Sequence, residues 1–327
     1  MKYLYVKPVF LWLSAIAVMF LGACTSEVPG TSETAEAISF GVPQTRAAVE
    51  KPSDMEAFSV WGWYTDTETG GDPVSVFDET RVDQASGWNY EGGTRYWIPG
   101  KTYRFYGVYP HGLENVSCTD EGTLHISNFD CSTSTDLMVA SRPDIVAEDG
   151  ISQGVQLSFR HLLARVEIVA KQHSATMDIQ GFKPRVVSAK LYGMSKTADF
   201  NATINESIDI TSAWGIHEVF TTAEDPLLQL DEGLEINSTQ EISVMDILLF
   251  PQLIQKEYYL EITFSTDGGN TVKPTQKIQL TTLPITQWEA GKHYYYSFTI
   301  SADDRILFDK PTVTEWDEAV GGIIIVE

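Results

Sequence analysis

The run Val155 Gln156 Leu157 Ser158 Phe159 Arg160 His161 Leu162 Leu163 Ala164 Arg165 Val166 Glu167 Ile168 decides the fold class. Val155, Leu157 and Phe159 alternate with Gln156, Ser158 and Arg160, and Ala164, Val166 and Ile168 alternate with Arg165 and Glu167. Successive side chains of an extended chain point to opposite faces, so each set gathers its apolar members on one face, as half-buried strands do. Downstream, Tyr258, Leu260, Ile262 and Phe264 alternate with Tyr259, Glu261, Thr263 and Ser265. Asp267 Gly268 Gly269 Asn270 then reads as a hairpin turn leading into Lys277 Ile278 Gln279 Leu280. Tyr294, Tyr296, Phe298 and Ile300 repeat the pattern. From Ile38 onward no sustained amphipathic helical stretch competes, so the spacing predicts an all-β protein made of antiparallel sandwiches. The segment Arg142 to Gly154, with Pro143, several acids and Gly150, lies between two strand patterns. It predicts two tandem domains, an N-terminal β-sandwich over 47–150 and a C-terminal one over 151–327. No internal repeat and no coiled-coil heptad interrupts this reading.

The chain has 327 residues, enough for two domains, since single cores stop growing near roughly 250 residues. It carries 22 Lys plus Arg against 45 Asp plus Glu, a formal net charge of −23, so its field repels nucleic acid and anionic lipid. A hydrophobic fraction of 43% with 11% aromatics is too rich for a disordered chain.

Lys2 and Lys7 precede the apolar run from Val9 to Leu21, the charged and hydrophobic regions of a signal peptide over residues 1–23. Leu21 Gly22 Ala23 Cys24 resembles the bacterial lipobox, in which the cysteine receives diacylglycerol and becomes the first residue of the mature lipoprotein. Two or three acyl chains on Cys24 would pass the threshold for stable membrane attachment. The alternative is an ordinary cleavage site beside an incidental cysteine. Thr25 to Gly30 then has a tether composition. Cys118 and Cys131 would sit in a disulfide-permissive compartment, where a bridge would add about 3 kcal/mol; two separate buried thiols are the alternative.

Chemistry is sparse. Histidines 111, 125, 161, 173, 217 and 293 are scattered, and HExxH, CxxC, GxGxxG, P-loop and GxSxG motifs are absent, so no metal, cofactor or enzymatic activity is expected. Paired carboxylates of a glycosidase cannot be singled out among the 45 acids. His161 reads as a hydrogen-bonded histidine at a strand end. Asp66, Glu68 and Asp72 around Gly70 and Gly71 depart from a calcium loop and read as a solvated hairpin. Trp61, Trp63, Tyr64, Trp88, Tyr90, Tyr96 and Trp97 could stack on sugars, but their alternation favours sandwich core for most of them.

Several segments in order resemble the fimbrillin family, the type V pilus subunits of anaerobic Gram-negative bacteria. They are Ile38 Ser39 Phe40 with Thr45 Arg46 Ala47; Phe58 to Gly62; Tyr96 Trp97 Ile98 Pro99; Tyr103 to Pro110; Asp136 to Ala140; Phe159 to Val166; and Trp288 to Lys292 with Tyr294 to Phe298. The resemblance spans most of the chain from residue 38. It implies a pair of transthyretin-like β-sandwich domains and delivery to the outer membrane as a lipoprotein precursor. It also implies maturation by a trypsin-like protease cutting after an arginine, and partnership with other fimbrial subunits in a cell-surface fimbrium. Here the cut would fall between Arg46 and Ala47, making 24–46 a lipidated propeptide.

Just before that bond, Ile38, Phe40 and Val42 alternate with Ser39 and Gly41, so three apolar side chains could fill one groove as a pro-strand. Its loss would cost on the order of 5 to 9 kcal/mol at roughly 1.5 to 3 kcal/mol for each buried side chain. The opened edge would then seek a donor strand. Ile323 Ile324 Ile325 Val326, behind Gly321 and Gly322, is a candidate donor, or else the last strand of its own sandwich. The expected function is a stalk or tip subunit assembled by protease-triggered strand exchange. The alternative is a surface lipoprotein that binds a host or bacterial glycan or protein and never polymerises.

Overall fold

The computed structural model describes residues 36–41, 55–148, 154–205 and 207–316, all within one compact unit, Ala35–Glu327. The sequence that decides the fold class behaves as its alternation requires. Val155, Leu157 and Phe159 are buried while Gln156 and Ser158 are exposed, and Ala164, Val166 and Ile168 are buried while Arg165 and Glu167 are partly covered. Within this short run the chain serves three sheets in turn. Val155–Gln156 pairs with Phe40–Gly41, Arg160–His161 with Met138–Val146, and Ala164–Lys171 with two strands of the C-terminal half.

The protein is an all-β sandwich fold. Its largest sheet orders six strands as Arg160–His161, Met138–Val146, Lys101–Tyr109, Ala57–Asp66, Gly70–Asp83 and Asn89–Tyr90. Side-chain parity divides this sheet between two cores. Phe58, Val60, Tyr103, Phe105 and Met138 face one core, and Trp61, Tyr106, Val108 and Val139 face the other. Trp61 and Trp97 are buried, and Trp63, Tyr64, Trp88 and Tyr90 pack against the cores, so of the seven aromatics weighed for sugar stacking only Tyr96 is exposed.

The larger core lies among three further sheets. One orders Ile242–Leu249, Ala164–Lys171 and Lys292–Ile300, with Ile306–Phe308 and Thr312–Glu315 both pairing along the outer side of the last. A second places Arg185–Tyr192 beside Tyr259–Ser265, followed by Gln276–Gln279 across the hairpin that Asp267 to Asn270 begins, where Gly268 and Gly269 have positive φ. A third joins Trp214–Ile216, Thr197–Thr203, Thr123–Asp130 and Val116–Cys118.

One expectation needs correction, and two further features bear on the sequence reading. Pairing is not wholly antiparallel: Ala164–Lys171 runs parallel to Lys292–Ile300, and Phe40–Gly41 parallel to Val155–Gln156. Alternation reports which face is apolar and is silent on strand direction. Strand pairing also crosses the expected boundary near residue 150, since Thr123–Asp130 pairs with Thr197–Thr203, and Arg142 to Val146 continue a strand. Of the two alternatives left open for Cys118 and Cys131, the structure has separate free thiols. Cys118 pairs with Leu124, whereas Cys131 lies beyond the far end of that strand, on the order of 20 Å away at roughly 3.3 Å per residue, far outside bonding range. Burial pushes both thiols up to about 12, which suits inert structural cysteines.

Candidate functional site

A slot in the smaller core holds residues 36–41. Ile38 is 1% and Phe40 6% exposed, while Ser39 points outward, so the extended segment drives alternate side chains into the smaller core. The Phe40 ring meets Phe77 at 5.2 Å, Phe105 at 5.7 Å and Tyr90 at 5.8 Å, each close to edge-on, the arrangement that ring quadrupoles favour. Backbone bonds hold the segment on both sides. The Ile38 amide donates to the Arg95 carbonyl at 2.8 Å and the Trp97 amide to the Glu36 carbonyl at 2.9 Å. Opposite, the Val155 amide donates to Ser39 at 2.7 Å and the Leu157 amide to Gly41 at 3.0 Å. The segment is therefore antiparallel to the Tyr96 strip and parallel to Val155–Gln156.

Both walls have anchors of their own. Arg95 donates through Nε to the Val76 carbonyl at 2.7 Å, lays its guanidinium over the Phe77 ring at 4.7 Å, and receives the Tyr90 hydroxyl at its backbone. The Ile98 amide donates to the Tyr103 hydroxyl at 3.0 Å, and burial pushes that phenol above its usual range. On the other wall, Phe159 packs against Phe58 at 5.1 Å and lies so close to Gly107 that a Cβ there would meet its ring at 2.9 Å. Without residues 36–41, the amides of Trp97, Val155 and Leu157 and the carbonyl of Arg95 would lose these partners beside an aromatic cavity.

Of the residues singled out in sequence, Ile38 and Phe40 share this slot; Cys24, Val42, Arg46, Ala47 and Ile323, Ile324, Ile325 and Val326 lie outside the described residues. The wall residues Arg95, Trp97 and Gln156 carry no sequence signal of their role, although Tyr96 to Pro99 and the alternation at Val155 border it. The described chain ends on Thr312–Glu315 and on Trp316, which stacks on His161 at 3.8 Å. His161 is buried at a strand end with Nδ1 2.8 Å from the Asp136 carboxylate, the structural role its sequence position suggests. Asp66 caps its hairpin by accepting from the Glu68 and Thr69 amides at 3.0 Å each, and the Lys101 ammonium with these amides holds its carboxyl well below the usual range. Among the described residues no three His, Cys, Asp or Glu side chains form a metal-sized group, and no helix is long and apolar enough to cross a membrane.

Comparison with known proteins agrees with this fold. The family described as fimbrillin-like matches residues 45–316. A solved fimbrial protein from Bacteroides vulgatus superposes with a TM-score of 0.55 at 15% identity, over 86% of this chain and 99% of that one. A Bacteroides ovatus structure, described as a candidate cell adhesion protein, gives 0.53 at 17% identity, over 90% and 97%. No curated protein matches.

Proposed function

The chain belongs to the fimbrillin-like family, which makes it a surface fimbrial or adhesin-like protein, and we propose that it is a structural fimbrial subunit activated by release of its own first strand. In this reading the precursor is exported as an outer-membrane lipoprotein through Cys24 and cut after Arg46 by a trypsin-like protease. The apolar tail Ile323 to Val326 of another subunit then fills the slot. The observation that carries the reading is the placement of Ile38 and Phe40. They are core residues held by backbone bonds on both sides, yet they belong to a segment that a single cut nearby would detach. At roughly 1.5 to 3 kcal/mol per buried side chain, the two contribute about 3 to 6 kcal/mol that a replacement strand could restore. The fimbrial description of the Bacteroides vulgatus structure is consistent with this role.

Brief trypsin treatment of the precursor should expose Ala47 as the new N-terminus, followed by growth of oligomers, and Arg46→Ala should block both. Deleting Ile323 to Glu327 should leave cleavage intact and reduce multimers. Arg46→Ala protein that forms fibres as readily as the parent would remove strand release as the trigger. An unmodified Cys24 in membrane-fractionated precursor, seen by mass spectrometry, would remove the lipid anchor.

A further inference from the structure

A second site lies in the C-terminal half of the chain. The outward face of the sheet containing Arg185–Tyr192, Tyr259–Ser265 and Gln276–Gln279 carries two side-chain rows. Tyr192 stands opposite Tyr259, and Lys190, Glu261 and Lys277 form the adjacent row. The chain from His217 to Ala223 arches over these rows: the Lys190 ammonium donates to the Ala223 carbonyl at 2.9 Å, and the Gly193 amide donates to Thr221 at 3.1 Å. Between arch and sheet is a cleft of about 770 Å³, within the usual size range of small-ligand sites. Gly193 lies against the backbone of Glu257 at one edge of the cleft: its φ is +99° and a Cβ would fall 1.9 Å from the Glu257 carbonyl oxygen, so this close approach requires glycine. Phe220, on the arch, is 56% exposed beside the mouth.

The lining has an amphipathic chemistry. Tyr192, Tyr259 and Phe220 supply aromatic surface, and Thr222, Gln255 and Lys277 bring donors, with Glu257 an acceptor. The Lys277 ammonium rests 3.9 Å above the Tyr259 ring and 4.0 Å from Glu261. The ammonium groups here already have partners, Lys190 on the Ala223 carbonyl, Lys256 on Glu257 at 3.8 Å and Lys277 on the Tyr259 ring and Glu261, and the chain as a whole is strongly acidic, so an anionic ligand is disfavoured. An extended apolar ligand is disfavoured by the charged row on the floor, which would lose its solvation without compensation. Gln252 also lines a neighbouring hollow of about 420 Å³ with Leu253, Gln287 and Glu289, so the two hollows meet at this residue.

We infer that this cleft binds a neutral glycan, one sugar unit against Phe220 and the tyrosines with its hydroxyls on Glu257, Gln255 and Lys277, and further units across Gln252. Sugars combine apolar C–H faces with many neutral donors and acceptors, which matches this lining in both respects. The inference is independent of strand exchange, because the cleft shares no residue with the slot of residues 36–41.

The test uses the full chain on a printed panel of neutral, sialylated and sulfated glycans, followed by calorimetry with the best neutral binder. Binding to neutral members is expected, with Phe220→Ala and Glu257→Gln each weakening it at least fivefold at unchanged Tm. Both side chains are exposed, so these variants should fold. Arg46→Ala should bind as the parent does, which separates this outcome from any failure of the assembly reading. Absence of binding, binding confined to sialylated or sulfated members, or full retention of affinity in both variants overturns the inference.

Discussion

The first and last described strands of the chain are opposites. Residues 36–41 bury Ile38 and Phe40, with hydrogen-bonded neighbours on either side, whereas Thr312–Glu315 is exposed at all four positions and pairs only with Lys292–Ile300. One strand belongs to a core and the other dresses an edge. A terminal strand's stabilising effect follows from what its side chains fill, and its position in the chain says nothing of that.

Removing the first strand should produce the largest effect. A chain beginning at Ala47 lacks both buried side chains and should melt roughly 10 °C lower in calorimetry, given about 3 to 6 kcal/mol and the size of the chain. An unchanged Tm would mean that the core closes without the segment, and the contrast between the two strands would fail. Single substitutions sharpen it. Phe40→Ala should cost about 3 to 5 kcal/mol in urea denaturation through the cavity among Phe77, Phe105 and Tyr90. Val313→Ala on the last strand, 43% exposed, should stay within about 0.5 kcal/mol.

The smallest effect concerns polar support beside the edge. Glu241 is pushed up by burial, but hydrogen bonds from Tyr295, Lys171 and Ser297 outweigh this and hold it below its ordinary value of 4.5. A carboxyl lowered in the folded state contributes stability above its unfolded value and loses it as pH falls through the folded one. Stability should therefore decline below about pH 4.5, and Glu241→Gln should flatten that part of the profile. An identical pH profile in the variant would assign the decline to other carboxylates.

The strands were legible because alternation is a local property: Val155 to Phe159, Tyr258 to Phe264 and Tyr294 to Ile300 bury the side chains their spacing assigns. Which strands become neighbours was not, since pairing is decided by contacts between remote segments. That is why the parallel partners of Ala164–Lys171 and Phe40–Gly41 emerge only in three dimensions, and why the Arg95 to Trp97 wall of the slot could not be named beforehand. Half of the slot was readable, because Ile38 and Phe40 alternate; Val42, Arg46 and Ala47 lie outside the described residues. The cleft beneath residues 217–223 left a fainter trace, an exposed Val219 and Phe220 in an otherwise polar stretch, which sequence alone cannot distinguish from a buried pair.

The parallel contact between Ala164–Lys171 and Lys292–Ile300 also sets a schedule for folding. Its partners are remote in the chain, so a large loop must close before the central strand of that sheet is in place. Until Lys292–Ile300 arrives, Ala164–Lys171 has one flank unpaired and the larger core lacks Tyr294, Tyr296 and Phe298. Lys292–Ile300, made well after Ala164–Lys171, thus completes the core begun by the middle of the chain. A chain that lacks Lys292–Ile300 therefore keeps one flank of Ala164–Lys171 and part of the larger core open, which defers its final closure.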